Sequence, residues 1–322
     1  MKRRILSVFL SLSLLLSLCL FTSCGGNATY MTIGTEKVSY DMVRSFVLSH
    51  RAAYTEEELR DEAVREEIRE KVLTDLRMAY VVLNVARELD LGLTDELEDG
   101  IEADYEYFSE QGDEFDKMLE AQYATKKVFK TLLTISAYDT LLFDAITEGG
   151  ALGDDRFLTT NDVIDADIAK GDWYAAEYIV VAQQDKATKS IMEKAREALL
   201  SGATFKEASA DIEKSYAANL RYRAVDECFT STIYSEEFED AVKSLEIGGV
   251  SEVIASYTSD GRPCYMLIRR MALSDEYIDE HYNDVIAQYL TREYAAYMKE
   301  RAMSLTVTVA KKYRDVDLLD IE

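Results

Sequence analysis

Pro263 is the only proline in a chain of 322 residues. At an average usage of about 5%, a chain of this length would carry about 16. Proline ends helices because it lacks an N–H and clashes with the preceding turn. Its near absence, with only 14 glycines, points to long uninterrupted helices and away from a turn-rich all-β fold. Hydrophobic residues at 48% and charged residues at 30% are globular proportions, and the length suits about two domains. The chain carries 36 Lys and Arg against 61 Asp and Glu, a formal charge of −25. That balance argues against nucleic acid as a partner, because phosphate contacts need cations.

Lys2, Arg3 and Arg4 precede an apolar run from Ile5 to Phe21. This is the pattern of a secretion signal, too short and wrongly flanked for a lasting membrane helix. The run closes with Leu20-Phe21-Thr22-Ser23-Cys24-Gly25-Gly26. Small residues before a cysteine, then glycines, resemble the lipobox of bacterial lipoproteins, although Phe21 stands at the usual leucine position. The resemblance implies that residues 1–23 are a signal peptide, that Cys24 is lipidated and that 24–29 form a tether. It also implies an extracytoplasmic protein, lipid-anchored to the bacterial cell membrane, since two or more acyl chains hold a protein stably. Ordinary signal cleavage is the alternative. Loss of the three cations takes the charge from −25 to −28. Cys228 and Cys264 then remain, as a disulfide that such a compartment permits or as two separate thiols.

Hydrophobic spacing organises the rest. Tyr30 to Val38 reads as a strand, a turn and a second extended piece, and Ser39 suits a helix cap. Thr55-Glu56-Glu57-Glu58 fits a capping box, ahead of a helix to about Leu89. A further helix runs from Thr94 to about Gln111, and a helical stretch, in one piece or two, from about Phe115 to Thr147. The character changes at Trp173. Strands are expected at 176–181, 220–224, 250–257 and 264–271, and helices at 186–200, 204–214 and 236–245. After Ser274 a helical pattern returns to about Met303, and Leu305 to Val309 alternates as a late strand. The fold class expected is α+β: a mostly helical, discontinuous domain (30–171 with 273–322) holding an α/β insert at 172–272.

The insert resembles a parvulin-type peptidyl-prolyl isomerase domain. Phe238, Ala241, Leu245, Gly248, Val250 and Ser251 are similar to that family's Phe-x-x-Ala-x-x-x-Leu-x-x-Gly-x-Val/Ile-Ser pattern. Glu177-Tyr178-Ile179-Val180 stands where parvulins have Arg-His-Ile-Leu, and the order β-α-α-β-α-β-β is also the family's. The flanks resemble secreted foldases of the PrsA and SurA type, whose two terminal segments jointly form a chaperone domain. The resemblance implies unfolded or secreted polypeptides as clients, with the membrane as anchor and a homodimer as one arrangement open to such a chain.

The chain departs from the family where chemistry is concerned. No histidine lies between 51 and 280. The first family histidine is replaced by Tyr178, and the second falls at Tyr265 or Met266. Prolyl isomerisation needs no covalent step, so an apolar pocket that binds the twisted amide can still lower the barrier. Tyr178 is the candidate catalytic residue, and Leu220, Tyr234, Phe238 and Met266 are the candidate substrate-binding residues. The same side chains also suit a plain domain core. Tyr105, Tyr107, Phe108, Tyr282, Tyr289 and Tyr297 are candidates for a client groove. His50 and His281 each read as isolated, bonded locally or exposed. No metal or cofactor motif is present in the sequence. The reading is a folding factor whose isomerase unit is weak or inactive. The alternatives are an active peptidyl-prolyl cis-trans isomerase and a non-enzymatic surface scaffold.

Overall fold

The computed structural model describes residues 29–217, 221–230, 236–258, 262–314, 316–319 and 321. The fold is α+β. Its residues fall into two compact units, one made of the described residues up to Gly153 with Tyr294–Glu322, the other of Asp154–Glu293.

The first unit starts with a hairpin of β1 (Thr29–Ile33) and β2 (Glu36–Ser39). Its turn needs a left-handed residue, and Gly34 supplies one at φ 59°. Ser39 Oγ accepts the Met42 amide at 3.3 Å and so caps α1 (Tyr40–Arg51). The long helix α2 (Glu62–Glu88) presents Ile68, Val72, Leu76, Tyr80 and Val81 to the core, all buried. Asn84, one turn on, is buried and anchors the hairpin. Its Nδ2 donates to Ile33 O at 3.1 Å and its Oδ1 accepts the Thr35 amide at 3.0 Å. Gly34 sits so close that an added Cβ would lie 2.1 Å from Asn84 Oδ1.

Three more helices follow: α3 (Asp95–Ser109), α4 (Asp113–Ala121) and α5 (Lys126–Thr147). They bury Ile101, Phe115, Leu119, Phe129 and Leu133 together, with Tyr105 and Phe108 packed alongside.

The second unit holds α6 (Asn161–Ile168), β3 (Trp173–Val181), α7 (Lys186–Leu200), α8 (Phe205–Tyr216), β4 (Tyr222–Thr230), α9 (Glu236–Ser244), β5 (Ile254–Tyr257) and β6 (Pro263–Met271). The four strands are antiparallel in the order β4-β3-β6-β5. Side chains alternate across a strand, so each face of β3 serves a different layer. Ile179 and Val181 pack under α7 and α8 with Met192, Leu199, Phe205 and Ile212. Ala176 and Tyr178 pack on the opposite face with Phe238 and Val242 of α9. The helices α10 (Asp275–Glu280) and α11 (Tyr282–Ser304) follow. The boundary between units falls within α11, after Glu293. Beyond it, β7 (Val307–Val309) pairs with β1, Met31 opposite Val309 and Ile33 opposite Val307. A last short helix, α12, spans Lys311–Arg314.

Three expectations change, and one alternative left open is decided. Thr55 and Glu58 do bond reciprocally (2.8 and 3.3 Å), but only the single turn Glu58–Arg60 follows them. The long helix has its own cap, Asp61, which accepts the Ala63 amide at 2.9 Å. The strand expected to end at 224 runs on to Thr230, because Asp226 and Glu227 find partners within the sheet's surroundings. His50 reaches across to Asp75 at 2.6 Å, while His281 bonds locally to Tyr277 O at 2.9 Å. Cys228 and Cys264 form no disulfide with each other, and both are buried. Cys228 stands level with Ala175, and so with Met271 of β6. Cys264 lies seven residues away along β6, about 23 Å at 3.3 Å per residue.

The tertiary bonds of Asn84 make it the most sensitive polar position of the first unit. Asn84→Ala leaves the Thr35 amide and Ile33 carbonyl unpaired, and denaturant unfolding should record a loss of about 2 kcal/mol. Asp139 of α5 gives a pH effect. Burial holds its carboxyl above the ordinary range, against the bond from Tyr294 Oη at 2.7 Å. A raised folded pKa favours the protonated fold, so the unit gains stability as pH falls from neutral and loses it as pH rises through that pKa. Asp139→Asn keeps the acceptor without the charge. Urea unfolding at pH 5 and pH 7 should show a smaller pH difference in this variant and higher stability at pH 7.

Candidate functional site

Tyr178 lies in the middle of β3, opposite Val225 of β4 and Ile268 of β6. Its ring meets Phe238 of α9 edge-on, with centroids 4.9 Å apart and planes at 73°, a favourable aromatic geometry. Phe238 touches Phe229 in turn, at 5.5 Å. Met266 faces the same layer from β6, beside Val180. Tyr265 faces the α7–α8 layer instead, so of the two residues at the second histidine position only Met266 shares the face of Tyr178.

Three expected site residues therefore come together. They do so as interior: Tyr178 is 3% exposed, Phe238 3% and Met266 6%. Leu220 and Tyr234 lie outside the described residues, as does Cys24. The sequence did not single out Glu227 or Phe229. Glu227 accepts a hydrogen bond from Tyr178 Oη at 2.9 Å. It stands opposite Ala176, a diagonal neighbour of Tyr178 on one sheet face. The signal for it was the two-residue offset between paired strands, which a reading that stopped the strand at 224 could not use.

The other face carries charge. Glu177, Arg269 and Asp226 are directly cross-strand. Arg269 Nε donates to Glu177 Oε2 at 2.6 Å, and Tyr277 Oη donates to Asp226. Burial pushes the Glu177 carboxyl above its ordinary range, partly offset by Arg269 and reinforced by Asp226.

A third polar group locks the layers. Asp167 of α6 is buried and accepts from Trp173 Nε1 at 2.8 Å and from Arg292 of α11 at 2.8 Å on each oxygen. Arg292 also donates to Thr230 Oγ1 at 2.8 Å. Burial works against ionisation, but the bonds from Lys170, Trp173 and Arg292 outweigh it and hold the carboxyl below its usual range. These groups are all satisfied, which marks them as structural rather than reactive.

The aromatic residues proposed for a groove divide. Tyr105 and Phe108 join the α3–α5 core, and Tyr107 stands out at 65% exposed beside Phe108, 5.4 Å between centroids. Tyr289 is buried in the second unit, where Tyr282 Oη bonds Asn161. Among the described residues no group of His, Cys, Asp and Glu could hold a metal ion, and no helix is long and apolar enough to cross a membrane.

No family model and no curated protein matches the chain. Among solved structures it is similar to foldase protein PrsA from Streptococcus pneumoniae at 17% identity and a TM-score of 0.40, covering 88% of this chain and 91% of that one. It is also similar to foldase protein PrsA from Lactococcus lactis at 16% and 0.30, covering 92% and 99%. A SurA-like chaperone from Campylobacter jejuni matches at 15% and 0.22, covering 86% and 96%. Likeness at these levels assigns no activity.

A packed interior and a binding pocket differ in their response to truncation. Phe238→Ala should cost about 3–5 kcal/mol in chemical unfolding, as removal of a buried aromatic does. Tyr178→Phe removes the bond to Glu227 and should cost about 1–2 kcal/mol. A pocket residue would show a far smaller loss from Phe238→Ala.

Proposed function

We propose that this chain is a membrane-tethered, extracytoplasmic protein-folding factor that holds or guides unfolded polypeptides. Its second unit is a parvulin-like domain with weak or no isomerase activity. The observation that carries the reading is the packing of Tyr178 against Phe238 at the centre of one sheet face, both 3% exposed. Rotation about a prolyl amide crosses a barrier of about 18–20 kcal/mol set by amide resonance. A protein lowers it only by binding the twisted amide better than the planar one, which needs space between apolar walls. Here the ring of Tyr178 occupies that space.

Three further features support the folding-factor reading. The signal-like N-terminus ends at Cys24, the lipid acceptor in this proposal. The antiparallel order β4-β3-β6-β5 with helices after β3 and β4 accommodates the parvulin-like motif around Phe238. The exposed Tyr107 beside Phe108 offers an aromatic contact for extended clients, a residue type common at recognition surfaces. One observation favours an active enzyme as the second reading: the Tyr178 hydroxyl is oriented by Glu227.

Two assays separate the readings. The full chain in mild detergent should suppress aggregation of reduced, unfolded lysozyme at equimolar ratio. The same preparation should leave the cis-to-trans rate of a proline peptide close to its uncatalysed value. A robust rate abolished by Tyr178→Phe would establish the enzyme instead, and absence of suppression would remove the holding role. Cys24→Ala should shift the protein from the membrane fraction to the soluble extracytoplasmic fraction.

A further inference from the structure

We infer that the outer edge of β4 is a docking site for an extended polypeptide segment, which adds to the sheet as a fifth strand. This rests on the folding-factor reading and names how the second unit would hold a client.

β4 is an edge strand, since the sheet order begins with it. Its nine residues pair with β3 in unbroken register from Tyr222 opposite Val181 to Thr230 opposite Trp173. Backbone groups of a strand alternate in direction. Arg221 O accepts the Ala182 amide at 2.8 Å and so points toward β3. The backbone groups of Tyr222, Ala224, Asp226, Cys228 and Thr230 therefore point outward. At one end they are already met. Gln288 of α11 donates from Nε2 to Cys228 O at 2.9 Å and accepts the Thr230 amide on Oε1 at 3.1 Å. Its side-chain amide thus bonds as a peptide group of a neighbouring strand would.

Past Gln288 the pattern stops. Among the described residues no backbone or side-chain group bonds the outward amides and carbonyls of Ala224 and Asp226, and both residues are exposed, as is Arg223. Proteins blunt long edges with proline, bulges, short strands or charged side chains, and of these β4 has only the charges of Arg223, Asp226 and Glu227. The opposite edge, β5, has only four residues, whereas β4 is long and regular and has no proline. Outward donors and acceptors recurring every two residues, about 6.6–7 Å, match an extended backbone. Ala224 adds no bulk at the centre of the row. The occupant is an unfolded client rather than a second copy, because a net charge of −25 makes copies of the chain repel one another. Lysozyme, a basic protein, suits that field.

The test is amide hydrogen exchange on the full chain in detergent, with and without reduced, unfolded lysozyme. Exchange at Ala224 and Asp226 should slow about tenfold or more in the complex, as pairing protects an amide. Exchange at the interior of α2 should not change. Ala224→Pro removes the outward N–H while sparing the ladder to β3, the position where an edge strand tolerates proline. It should raise the concentration needed to suppress aggregation about tenfold, with circular dichroism unchanged. If the variant does not fold, the exchange measurement on the unaltered chain decides. Lysozyme held with no slowing at Ala224 and Asp226 overturns the docking site and leaves the folding-factor reading standing. Lysozyme not held at all overturns both. Slowing that grows with chain concentration in the absence of lysozyme makes a second copy the occupant and overturns the assignment.

Discussion

The first unit depends on closing a chain that leaves it at Gly153 and returns at Tyr294. Closure across a long intervening segment costs entropy that grows only slowly with its length, but contacts between the two parts must repay that cost. Some are spread along the helices, as where Tyr294 Oη bonds Asp139 at 2.7 Å and Tyr313 Oη bonds Arg69 O at 3.1 Å, and others meet at one turn. Gly34 donates its amide to Thr306 O at 2.9 Å, β7 pairs beside β1, and Asn84 grips Ile33 and Thr35 from α2. A hairpin alone is marginal in water. It is held here because a helix and a late strand both fasten to it. The positive φ of Gly34, and the clash an added Cβ would make with Asn84 Oδ1, allow no larger residue at the turn.

The second unit meets a different constraint. Every strand must satisfy a layer on each face. On the α7–α8 side the aliphatic residues Ile179, Val181 and Leu267 do so simply. On the α9 side the sheet carries Tyr178, Phe229 and Cys264, and a tyrosine buried there needs a partner for its hydroxyl. Glu227 provides one. The two residues define each other: the tyrosine fills the space, and the carboxylate makes its burial tolerable. The proposed client contact is accordingly placed on the edge of β4 rather than in this interior.

Much of this was legible in the sequence. The scarcity of proline and the spacing of Ile68, Val72, Leu76 and Tyr80 announce α2, and Thr204 announces α8 as its cap, to which the structure adds Glu207 in a full capping box. The α+β class follows from the same patterns. Alternation marks Leu305 to Val309 as a strand, but nothing local says that it pairs with β1, because partner choice is a long-range matter. The full length of β4 was hidden by Asp226 and Glu227, whose charges break a hydrophobic pattern while the fold supplies Tyr277 and Tyr178 as partners. Asp167 belongs to no recognisable motif, yet it is the buried acceptor for Trp173 and Arg292. Its ligands come from distant parts of the chain. The convergence of Tyr178, Phe238 and Met266 was legible from motif and register. Their burial was one of two readings left open, a plain domain core, because it depends on how α9 closes over the sheet.

The central claim is that Tyr178 fills the space a prolyl substrate would need. Residue-resolved tyrosine nitration of the native chain, followed by mass spectrometry, measures this directly. Tyr107 and Tyr257, at 65% and 70% exposed, should react readily, and Tyr178, at 3%, should stay unmodified until the protein unfolds. Nitration of Tyr178 in the native protein at a rate comparable to Tyr107 would contradict the account.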